Sequence, residues 1–299
     1  MKRHLLSAIA AAAAMVLGSA AHAGPVIIDG TDSADHGNNT GGTNNLGWEY
    51  MQRALTNLGS AVSGTVAQVV TVIGTNAASQ SRNAITSALA LSGVSGWAVN
   101  YVSGAANINA FMSTLSTATT GILYLSTAGL VSGDMSAAEL AEVNLANAQI
   151  NAFVGGAGNP ALGGALFAQG EIGATSFDWL STLIPGLVVT DTGAGGVFTD
   201  ITLTAAGALA FPGLTTPDLA GADPWHNYFT GNLGGLSILG TALQGTTTRS
   251  VILGGGAGTI LQCGDPGQPA CPVPEPGSMV LVATAGLALL GMRRRRQSK

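Results

Sequence analysis

Charge is scarce in this sequence. Only 8% of its 299 residues are Asp, Glu, Lys or Arg, against about 25% in a typical soluble domain. Lysine is absent between residues 24 and 272, where Arg53, Arg82 and Arg249 are the only cations. A nucleic-acid binder needs clustered Lys and Arg, so that class is excluded. Aromatic residues are few as well, at 5%. Apolar residues make up 46%, which is ample for a core and argues against a disordered polyelectrolyte. The 44 glycines are about twice the usual share of ~7%.

The charges that do occur are partitioned. Lys2 and Arg3 stand at one end, and Arg293 to Arg296 with Lys299 at the other. Between them, residues 24–272 hold fourteen carboxylates against three arginines, a formal charge of −11. Basic ends around an acidic body belong to transport signals and not to a fold. Residues 1–23 read as a secretory signal peptide, with Lys2-Arg3 as the positive region and Leu5 to Gly18 as the apolar one. Ala21-His22-Ala23 fits the small-x-small rule, placing cleavage between Ala23 and Gly24. A buried N-terminal helix is the rival reading.

The other end carries Val273-Pro274-Glu275-Pro276-Gly277, an uncharged run from Ser278 to Met292, and then four arginines. The run is a little short of the ~20 residues that span a bilayer core, and the arginines would hold its end in the cytoplasm. This tail resembles the PEP-CTERM sorting signal, with Pro274, Glu275 and Pro276 as its signature. The same tail is also known as an ice-binding-protein C-terminal motif. The resemblance covers residues 273–296 and implies a Gram-negative cell surface, an exosortase-type membrane protease as partner, and an exopolysaccharide or biofilm setting. An uncut C-terminal anchor helix is the alternative. Cys263 and Cys271 precede the tail; in an oxidising compartment an even pair at short spacing reads as a disulfide. A zinc pair lacks a nearby histidine to complete its ligands.

These boundaries divide the chain into a signal (1–23), a body (24–262), a Cys-bracketed linker (263–272) and a sorting tail with a transmembrane helix (273–299). In the body, apolar runs alternate with helical patterns. The runs are Val26–Asp29, Val66–Ile73, Trp97–Val102, Gly121–Ser126, Ala165–Ala168, Gly186–Thr190 and Val251–Leu253. Helical spacing marks Met51, Leu55, Leu58 and Val62, then Ile85 and Leu89, then Ile108 to Leu115. Ser136-Ala-Ala-Glu139 is a capping box opening a helix with Leu140, Val143, Ala146, Ile150 and Phe153 on one face. The alternation predicts a single Rossmann-like α/β domain with a mainly parallel sheet. No repeat supports a solenoid. The order of elements resembles the class I glutamine amidotransferase-like fold. That family's elbow cysteine has no counterpart in Gly163–Gly170, so the resemblance implies fold and no catalytic nucleophile.

Ligands of open α/β sheets sit at the carboxyl ends of strands. The first such end carries Asp29, Asp32, Asp35 and His36, a set that could hold a hard cation such as calcium or build successive Asx-turns. The spacing is not that of an EF-hand. Asp223-Pro-Trp225-His226-Asn227-Tyr228-Phe229 is the densest aromatic patch; Asp223 and His226 could bond a sugar hydroxyl, or the patch could be a packed turn. Glu171 follows the Ala165–Ala168 run and is a third candidate. Gly254-Gly-Gly-Ala-Gly258 lacks the ending of a phosphate loop and reads as a turn. Two functions follow. One is a non-enzymatic exported surface or matrix protein, membrane-anchored before processing and associated with exopolysaccharide. The other is an extracytoplasmic hydrolase or metal-dependent enzyme, which requires Asp29, Asp32, Asp35, His36 and His226 to converge.

Overall fold

The computed structural model describes residues 24–255, apart from residues 63, 65, 78, 127–134, 156–162, 171–173, 194–195, 216–218 and 220–224. All of these belong to the first of the chain's two units, Met1–Leu261. The signal region, both cysteines, the PEP motif, the apolar tail, Glu171 and Asp223 lie outside the described residues. Among the described residues no helix is long and apolar enough to cross a membrane.

The architecture is α/β around one mixed ten-stranded sheet. Its parallel part holds β1 (Val26–Asp29), β4 (Val69–Ile73), β5 (Ala98–Val102), β6 (Ile122–Leu125) and β7 (Ala165–Gln169). Their order is β5-β4-β6-β7-β1, all pairs parallel. Every residue of β1, β6 and β7 is buried. Burial on both faces makes these strands unbroken apolar runs and not alternations.

Beyond β1 the sheet changes character. The partner there is β12 (Thr247–Gly255), antiparallel, followed by β10 (Asn227–Gly231) and β8 (Leu187–Asp191), while β11 (Ser237–Gln244) pairs with β12 and with β9 (Thr202–Leu203). The expected mainly parallel sheet is therefore half of the observed one. Gly254 and Gly255, expected in a turn, are the last residues of β12, where Gly254 lies opposite Ile27. A separate hairpin pairs β2 (Gly37–Thr40) with β3 (Thr43–Leu46). Gly41 and Gly42 make its turn at φ of +62° and +86°, angles that only glycine adopts at no steric cost.

Two helical layers cover the faces. On one face lie α1 (Gly47–Val62), α2 (Gln80–Leu91) and α7 (Ala205–Ala210). Met51, Leu55, Leu58, Ile85 and Leu89 pack there against Ile27, Val70, Val72, Tyr124 and Phe167. The other face carries α3 (Ala105–Met112), α4 (Ala137–Leu145), α5 (Asn147–Val154) and α6 (Leu180–Leu183), preceded by a 3-10 turn, Ala174–Phe177. Ile108, Val143, Ile150 and Phe153 meet Val26, Ile28, Leu123, Leu125 and Leu166. Adjacent strand residues such as Ile27 and Ile28 thus enter opposite cores, as the strand period requires.

The predicted capping box is present: the Ser136 hydroxyl accepts from the Glu139 N–H, and Glu139 returns a bond to the Ser136 N–H at 2.8 Å. The second Glu139 oxygen accepts the Gly104 N–H at 2.6 Å, tying the start of α3 to α4. The single helix expected over Ser136–Phe153 is two, because Ala146 leaves helical geometry at ψ +17°.

Candidate functional site

The chain leaves β1 for α1 on one face and leaves β7 for Phe177 and α6 on the other. Neighbouring parallel strands whose exits diverge in this way open a crevice at their carboxyl ends, the usual ligand position of such sheets. Asp29 and Gln169 are the last residues of the two strands and face each other in register.

Asp29 is fully buried and anchors a directed network. Tyr124 donates its hydroxyl proton to Gln169 Oε1 at 2.6 Å, and Gln169 Nε2 donates to Asp29 Oδ2 at 3.0 Å. Asp29 Oδ1 accepts the Thr31 N–H at 2.7 Å. The Thr31 and Ser33 hydroxyls are 2.5 Å apart. Burial pushes the Asp29 carboxyl up to about 6, with Thr31, Gln169 and Tyr50 opposing the rise. Tyr50, buried on α1 beside it, is pushed well above its usual range by burial and by the Asp29 charge.

One turn further on, Asp32 sits between two imidazoles. Its Oδ2 is 3.2 Å from His36 Nε2 and 3.7 Å from His226 Nε2. Asp32 and His226 are buried side chains, whereas that of His36 is 33% exposed. The Asp32 carbonyl accepts the N–H groups of Asp35 and His36 at 3.1 and 3.2 Å, closing the turn that points His36 back at the carboxylate. Burial works against ionisation of Asp32, but the two histidines outweigh it and hold the carboxyl below its usual value.

An isolated antiparallel bridge between Thr31, just past β1, and Trp225, just before β10, brings His226 here from far along the chain. Gly30 O accepts both the His226 and the Asn227 N–H, at 2.8 and 3.1 Å. The two backbones come so close that a Cβ on Gly30 would lie 2.1 Å from the Asn227 carbonyl oxygen. Trp225, also fully buried, donates its indole N–H to Thr199 Oγ1 at 3.0 Å. The aromatic cluster is thus the entry to a strand and not a turn. Asn227, fully buried, has neither amide atom hydrogen-bonded.

Of the sequence candidates, Asp32, His36 and His226 meet, with Asp29 beside them in its own network. The Asp35 carbonyl accepts the Gln80 side-chain amide. The four-residue cation set therefore does not form as one cage: Asp29 turns to Gln169, and among the described residues no group of three His, Cys, Asp or Glu could hold a metal ion. Gln169, Tyr50 and Tyr124 were not singled out from sequence. The available signal was a polar residue closing a wholly apolar run.

A second feature lies apart from these residues. A cleft of about 620 Å³ is lined by Thr199, Asp200, Thr202, Thr241, Leu243 and Thr248, on the antiparallel half of the sheet. The fold and crevice define a mixed α/β protein with a polar switch-point site. No protein-family model, curated protein or solved structure matches the chain.

Proposed function

We propose that this is an exported bacterial cell-surface or matrix protein, sorted by a PEP-CTERM-like tail and associated with exopolysaccharide. The observation that carries the proposal is the order Pro274-Glu275-Pro276, uncharged run and four arginines behind an acidic body without lysine. The hydroxyl-lined cleft of Thr199, Thr202, Thr241 and Thr248 supports association with a polyhydroxylated polymer. Deleting residues 273–299 should release the body in soluble form. Replacing Pro274, Glu275 and Pro276 with alanine should leave an uncut, membrane-held precursor in a host with the sorting protease. Normal processing of that variant would remove the sorting claim.

The convergence of Asp32, His36 and His226 favours a second reading, an extracytoplasmic hydrolase on an amidotransferase-like α/β fold. A carboxylate shared by two imidazoles at a strand-end crevice is the composition of an acid–base centre. This reading needs no side-chain nucleophile if water is the attacking group.

A further inference from the structure

The orientation of the His226 ring constrains what its inner nitrogen can do. Nδ1 lies 3.3 Å from the Gly193 carbonyl oxygen. A carbonyl only accepts, so Nδ1 carries the proton, and in the neutral ring Nε2 presents a lone pair. That lone pair faces Asp32 Oδ2 at 3.7 Å, too far for a direct hydrogen bond. Both His226 Nε2 and Asp32 Oδ1 are buried without a hydrogen-bond partner. Two buried acceptors without a donor, one on each side chain of this close pair, are costly unless a donor reaches both. Water is the smallest group that can, with one O–H directed to each.

Resting on the hydrolase reading, we propose that Asp32 and His226 bind and deprotonate a water molecule, and that His36 links the same carboxylate to solvent. The water O–H bond breaks and its proton passes to His226 Nε2, while the electron pair stays on oxygen. The imidazolium so formed lies beside the Asp32 carboxylate, which stabilises the charge as it develops. The oxygen adds to an acyl ester carbon; the C–O bond then breaks, and the leaving oxygen takes the proton back from His226. Ester and water give carboxylic acid and alcohol. His36, on the same Oδ2 and one-third exposed, exchanges protons with bulk solvent.

The test uses the full chain in detergent, with p-nitrophenyl acetate as the acyl probe and ¹⁵N-histidine labelling as a structural readout. Only four histidines occur in the sequence, so their signals are separable by single His→Gln variants. The expected result is a His226 ring protonated on Nδ1, and hydrolysis that falls by roughly 10²-fold or more in His226→Gln and Asp32→Asn. Unchanged circular dichroism in both variants keeps the loss from being one of folding; if either unfolds, the ring tautomer of the wild-type chain decides alone. A proton on Nε2 in place of Nδ1 overturns the proposal. Hydrolysis lost in Asp32→Asn and His36→Gln but kept in His226→Gln overturns it while leaving the hydrolase reading intact. No hydrolysis by the wild-type chain overturns the hydrolase reading itself.

Discussion

Replacing Asp29 with asparagine tests the buried network through its pH dependence. In the folded chain this carboxyl titrates at about 6 in place of 3.8, because burial disfavours its charge more than Thr31, Gln169 and Tyr50 favour it. A displacement of about two units corresponds to about 3 kcal/mol, at ~1.4 kcal/mol per unit. The folded state holds the proton more tightly than the unfolded one. The Asp29 contribution to stability is therefore fully present below 3.8 and is lost as pH rises through about 6. Asparagine does not titrate, so the stability of Asp29→Asn minus that of the wild type should rise by about 3 kcal/mol between about pH 3.5 and pH 7. The variant also turns an amide donor towards Gln169 Nε2, a pH-independent cost that displaces the whole difference curve without changing its span. Asp32, held below its usual value, titrates in the opposite sense but in both proteins, and cancels in the difference. Urea unfolding at a series of pH values, followed through the buried Trp179 and Trp225, measures the span. A difference that is flat with pH, or falls as pH rises, would refute the raised titration of the buried Asp29 carboxyl.

Three further outcomes are expected. Asp32→Asn removes the charge shared by His36 and His226; the stability that the wild type gains as pH rises through the ordinary carboxylate range should disappear, as read from thermal unfolding at pH 3 to 7 (about the interval over which such a group titrates). Tyr124→Phe keeps the ring packed on Phe167 at 5.3 Å but strips Gln169 Oε1 of its donor, for a loss of about 1–3 kcal/mol; urea unfolding unchanged from the wild type would show that the network is not closed through Tyr124. Gly30→Ala drives a Cβ into the Asn227 carbonyl, which as backbone cannot rotate away. It should cost about 1–3 kcal/mol and alter the His226 signals in the labelled chain, and unperturbed His226 signals would mean that β10 is not seated on Gly30.

The parallel half of the sheet was legible because its strands are buried on both faces, so Val26–Asp29, Gly121–Ser126 and Ala165–Ala168 stand out as apolar runs beside helices of 3.6 period. In the antiparallel half only Gly186–Thr190, matching β8, and Val251–Leu253, within β12, give such a signal. In β11 the register shifts around Gly240, and a bulge of this kind breaks the alternation by which a half-buried strand is read. β12 begins with exposed Thr247 and Thr248 and becomes buried only from Val251, so its apolar end was visible and its polar start was not. Apart from Leu46, the hairpin β2–β3 is composed of Gly, Asn and Thr, residues that read as turns; what makes them strands is docking on α1 and α2, where Asn44 bonds Gln52 and Ser87.

The site divides along the same line. Asp29, Asp32 and His36 were legible because a polar loop at the end of the first apolar run is where an α/β sheet places its ligands. His226 stood out as a histidine in an aromatic cluster. That His226 meets Asp32 is a property of pairing between distant segments, set by two bonds to Gly30 O and by the missing Cβ of Gly30. Neither segment carries a local signal of that encounter. Tyr50 and Tyr124 occupy apolar positions of a helix and a strand, and one sequence cannot tell a core tyrosine from one whose hydroxyl serves a network. Gln169 is different: it follows Ala165–Ala168 without a break and is itself 3% exposed. A buried amide needs partners at both ends, and a carboxylate ending the neighbouring strand in register supplies one of them. The inference from Gln169 to Asp29 therefore becomes available once β7 is known to lie beside β1, and it is the sheet order, more than any motif, that turns scattered polar residues into a site.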